Sequence, residues 1–61
     1  MLEPSKEDQQ RSIAIRCASK KGEYVSDKDH LWNSIIYGMF PEWYRATEDI
    51  IFQLTKPFGA K

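Results

Sequence analysis

His30, Asn33, Ser34 and Tyr37 stand at i, i+3, i+4 and i+7. That spacing puts four polar side chains on one helical face. An imidazole among hydroxyls and an amide suits two kinds of chemistry. Histidine is the common proton carrier near neutral pH, and the whole stripe could recognise a partner through hydrogen bonds. Proton transfer needs a water-excluding pocket, and a chain of 61 residues has little volume in which to enclose one of the usual size. The stripe is therefore read as a polar helix face with His30 and Tyr37 as candidate partner contacts, and no catalytic residue is assigned.

Cys17 follows Arg16, and a nearby cation favours the reactive thiolate. No histidine is adjacent in sequence, and Cys17 shares a face with Ile13, Ala14 and Ala18, which predicts a small buried hydrophobe. One cysteine and one histidine exclude an intramolecular disulfide and a Cys/His zinc cluster. The sequence also lacks a P-loop, a dinucleotide glycine fingerprint, a metalloprotease helix and a calcium loop. No cofactor, metal or small-molecule substrate is expected.

Arg11, Arg16, Lys20 and Lys21 form a basic run with no acid between Gln9 and Gly22. Such a run could meet phosphates or an acidic protein, so nucleic-acid binding through these four is the alternative function. Two features weigh against it. Nine Lys/Arg balance nine Asp/Glu, which leaves no global footprint for a polyanion. The "YGMFP" turn invites a helix-turn-helix comparison, but the helix after it opens with Glu42, Trp43, Tyr44 and Arg45 and continues to Glu48 and Asp49. Phosphate neutralisation drives such binding, and that helix carries the wrong charge.

The elements that must position these residues follow from capping and periodicity. The sequence predicts three helices, at about 6–21, 27–38 and 41–55, with loose termini. Ser5 caps the first, with Asp8 three residues on, and Gly22 ends it. "SIAIRC" also alternates with period two, so a hairpin over residues 12–25, packed on two C-terminal helices, is the alternative. Ser26 caps the second helix, and Gly38 is its expected stop. Pro41 opens the third, and Pro57 closes it by restricting Lys56. The expected fold is a compact all-α domain of three helices.

Leu31, Ile35, Trp43, Ile50 and Leu54 are the predicted core. Phe40 plugs the turn, and Phe58 in the tail "KPFGAK" could fold back as a lid. Phe52 and Tyr37 are left over, because both fall on polar arcs. About twenty large apolar side chains, from Leu2 to Phe58, exceed what a domain this small can bury. The functional expectation is a small non-enzymatic protein that docks on another protein or on its own copy, through Phe52 with Arg45, Glu48 and Asp49 at its rim and Ile15 or Phe58 as apolar neighbour. "MLEPSKEDQQ" is polar from the third residue, unlike a signal peptide, and the apolar runs are short for a membrane span. A cytoplasmic protein is expected.

Overall fold

The computed structural model describes residues 2–56, so the expectation for Phe58 lies outside the described residues. The chain forms α1 (Lys6–Lys20), α2 (Asp27–Met39), α3 (Pro41–Ala46) and α4 (Glu48–Thr55). The fold is all-α, as predicted. Residues 12–20 continue α1, and no strand occurs among the described residues, so the hairpin alternative is not supported.

Local chemistry sets the helix ends. The Ser5 hydroxyl accepts a hydrogen bond from the Asp8 N–H at 3.2 Å, satisfying one of the orphan donors of the first turn. Glu7 and Asp8 lie in that turn, where negative charge opposes the helix dipole. At the other end Gly22 has φ of 80°. Its N–H donates to the Ser19 carbonyl at 3.1 Å, and the Glu23 N–H donates to the Ala18 carbonyl at 2.9 Å. These are the paired bonds of a Schellman closure. A β-carbon on Gly22 would meet nothing within 4 Å, so Gly22→Ala should cost only the left-handed backbone penalty, about 1 kcal/mol. A urea midpoint identical to that of the parent chain would contradict this.

Ser26 caps α2 in the same way, accepting from the Asp29 N–H at 3.2 Å. The helix does not stop at Gly38. It runs to Met39, and Pro41 ends it instead, because the residue before a proline is driven out of helical geometry. Phe40 accordingly has φ −133° and ψ 61°. Its N–H closes on the Ile36 carbonyl at 2.8 Å, and its carbonyl accepts from the Tyr44 N–H at 2.9 Å. One residue thus finishes α2 and starts α3.

The third predicted helix is interrupted at Thr47. In a continuous helix the Tyr44 carbonyl would accept from the Glu48 N–H. Here the Thr47 hydroxyl donates to it at 2.8 Å, and Arg16 Nη2 donates to it at 3.1 Å. Competition of this kind from a threonine side chain is a known way to bend a helix.

Helix α1 packs against both α2 and α4; α3 joins α2 to α4, which do not pack on each other directly. The buried apolar residues are Ile15, Ile36, Trp43 and Ile51, and with them are buried Ser12, Arg16, Asn33 and Thr47. Ser12 Oγ donates to Asn33 Oδ1 at 2.7 Å, and Asn33 Nδ2 donates to the Tyr44 hydroxyl at 3.0 Å. Arg16 Nη1 donates to the Thr47 hydroxyl at 2.7 Å, while its guanidinium lies 3.8 Å from the Tyr44 ring centroid. Among the described residues no buried side-chain polar atom lacks a partner, which is the condition under which a polar interior is tolerated.

This polar spine rotates the helices away from the faces that periodicity predicts. Of the five expected core residues only Trp43 is buried; Leu31, Ile35, Ile50 and Leu54 are between 47% and 64% exposed. On α1 the inward face carries Ser12, Ile15 and Arg16, and Cys17 is only half-buried. The reason is physical. Asn33 and Thr47 face inward because their hydrogen-bond partners are there, and Ile36 and Ile51 go with them. Leu31, Ile35, Ile50 and Leu54 are left at the surface.

Candidate functional site

Because α2 and α4 flank α1 without meeting, a groove of about 830 Å³ lies between them. The buried Ile15 and Arg16 of α1 and Ile51 of α4, with Tyr44 of α3, form its floor. His30, Ser34 and Tyr37 line it from α2, alongside the inward-turned Asn33. Glu48, Asp49 and Phe52 line it from α4, and the last turn of α1 adds Ser19 and Lys20.

The polar stripe of α2 is thus a groove wall. Tyr37 packs edge-on against Tyr44, with ring centroids 4.7 Å apart and planes at 62°, an arrangement that aromatic quadrupoles favour. Phe52 stands at the rim, 54% exposed, as its place on the polar arc of the third helix predicts. Arg45 is exposed on α3, and the neighbouring Tyr37, with Glu48 and Glu42, holds its pKa above the ordinary value. Four of the five candidate partner residues, Phe52, Glu48, His30 and Tyr37, therefore share one groove, and Arg45 does not line it.

The basic run is not brought together in this way. Arg16 is buried, with two hydrogen bonds and a tyrosine face. Arg11 pairs with Asp29 at 3.3 Å and sits 4.3 Å from the Trp32 ring centroid. Lys20 lines the groove, and Lys21 is the exposed C-cap of α1. The four cations do not form a single charged face, because the spacing that clusters them in sequence winds them around the helix.

Ser19, Tyr44 and Ile51 line the groove without having been singled out by sequence, whereas Ile15 and Asp49 are where the reading of Phe52 expected its apolar neighbour and its charged rim. The misfit of Ile15 with the expected apolar stripe of α1 is a signal that the inward face lies elsewhere. Among the described residues no group of three His, Cys, Asp or Glu could hold a metal ion, and no helix is long and apolar enough to cross a membrane.

No family model, curated protein or solved structure matches the chain. The geometry defines a class all the same: a small all-α domain with an open groove, aromatic at its rim and of both charges along its walls.

Proposed function

We propose that the chain is a small non-enzymatic, regulatory docking protein of the cytoplasm, and that it binds a protein partner through the groove between α2 and α4. The observation that carries this is Phe52, an exposed aromatic over an apolar floor of Ile15 and Ile51, with charged residues around it. Aromatic anchors with apolar neighbours and a charged rim are typical of protein interfaces. The openness of the groove favours binding over catalysis, since a reacting group in it would stay in contact with water.

The test is a photo-crosslinking phenylalanine analogue at position 52, compared with the same analogue at Gln10, which is exposed and outside the groove. In lysate of the native host, position 52 should form a discrete protein adduct and position 10 should not. Equal labelling from both positions, or none from position 52, would count against the groove as a docking site.

A further inference from the structure

Arg16 is a cation with only 8% of its surface exposed, and the way it is buried leaves one edge of it unused. Its Nη1 donates to the Thr47 hydroxyl at 2.7 Å and its Nη2 to the Tyr44 carbonyl at 3.1 Å. Those two acceptors lie 2.8 Å apart. Acceptors so close together are met by the parallel N–H groups at the tip of the guanidinium fork. The tip is therefore taken up by the fold, and the Tyr44 ring holds one face of the plane, 3.8 Å from Cζ. A second parallel pair, Nε–H with the outer N–H of Nη2, runs along the side of the plane. Nε makes no hydrogen bond to a described residue, whereas no buried side-chain polar atom among those residues lacks a partner. Nε is thus accessible, and the open space that Arg16 lines is the groove.

An arginine edge fixed in this way is a receptor for a planar oxyanion. A carboxylate accepts two parallel N–H bonds from such an edge, and the side chain needs no further ordering to make them. Lys20 follows one turn later on α1 and lines the same groove, adding a second cation. Glu48 and Asp49 line it too, and their repulsion of an anion grows with the charge of that anion. A phosphate group carries about two negative charges at neutral pH, against one on a carboxylate. The groove therefore favours the carboxylate.

Granting that the groove is a docking site, we propose that the partner places a carboxylate on the Nε–Nη2 edge of Arg16, from an acidic side chain or a C-terminus, with an apolar neighbour against Phe52 and Ile51. The groove then recognises a short segment that is both acidic and apolar.

The experiment follows the side-chain Nε–H resonance of Arg16 in the labelled full chain. The probes are sodium acetate and sodium phosphate, each titrated against sodium chloride at constant ionic strength. Acetate should shift this resonance saturably, in the millimolar range or above because so small a ligand binds weakly. Phosphate should bind more weakly by roughly threefold or more. Arg11, already paired with Asp29, is the control and should show no saturable shift. Lys20→Gln, at an exposed position, should weaken acetate roughly twofold to fivefold. Arg16 itself stays in place, so the test does not depend on a destabilised variant. In the protein crosslinked from position 52, the attached segment should carry a carboxylate within about four residues of the crosslink, the reach of an extended chain across the groove.

An Arg16 resonance that acetate moves no more than chloride does would overturn the carboxylate edge and leave docking to the crosslink from position 52. Phosphate binding tighter than acetate would overturn the choice of carboxylate. Saturable acetate binding beside a crosslinked segment with no carboxylate would overturn the partner as its source. The same binding with no crosslink at all would remove that source by the failure of docking itself.

Discussion

Trp43→Ala is expected to unfold the domain. Trp43 is one of four buried apolar side chains, with Ile15, Ile36 and Ile51, and removing a buried tryptophan costs about 3–5 kcal/mol. A domain this small has on the order of 5 kcal/mol in total. The melting temperature should fall by roughly 15–35 °C, or the helical circular dichroism should show no folded baseline at 25 °C. The neighbouring isoleucines sharpen the test. Ile51→Ala should cost about 2–5 kcal/mol. Ile50→Ala, at a half-exposed position, should cost less than about 1 kcal/mol. The reverse order would mean that α4 presents its other face to α1.

Arg16→Ala should be nearly as damaging, although the residue is a cation. Its side chain donates to the Thr47 hydroxyl and the Tyr44 carbonyl and covers the Tyr44 ring. These acceptors belong to the end of α3, where the negative pole of the helix favours a positive charge. Removing the guanidinium takes away charge-assisted bonds worth about 1.5–3 kcal/mol each and uncovers the face of the Tyr44 ring. A loss of about 3 kcal/mol is expected by urea unfolding. Arg16→Lys should recover only part of it, because a single ammonium cannot reproduce the planar fork. A stability loss below about 0.5 kcal/mol, the level of an ordinary surface change, would show that Arg16 is not structural. For the same reason a nucleic-acid role is better tested at Lys20 and Lys21, where substitution leaves the fold alone.

Most helix ends were legible in the sequence because their chemistry is local, the exception being the end of α2, expected at Gly38 and set instead by Pro41. Ser5, Ser26, Gly22 and Pro41 each act within a few residues of themselves. The inward faces were not, because the polar spine joins residues far apart in the chain: Ser12 to Asn33 across 21 positions and Arg16 to Thr47 across 31. Apolar periodicity assigns such residues to the surface, and here they hold the interior. The same cause hid the interruption at Thr47, which depends on Arg16 reaching the Tyr44 carbonyl. Much of the candidate site was visible as residues that did not fit. Phe52 and Tyr37 remained on polar arcs once the stripes were drawn, and the structure places both on one groove. The contribution of Lys20 to that groove was not visible, since it depends on how the last turn of α1 sits between α2 and α4.

The claim that this groove is the docking surface is tested most directly by amide chemical shifts of the labelled chain across a dilution series, and again with the protein crosslinked from position 52 added. Perturbations should centre on Lys20, His30, Ser34, Tyr37, Glu48 and Phe52. Perturbations centred instead on Leu31, Ile35 and Met39, the exposed apolar stripe of α2 outside the groove, would contradict it.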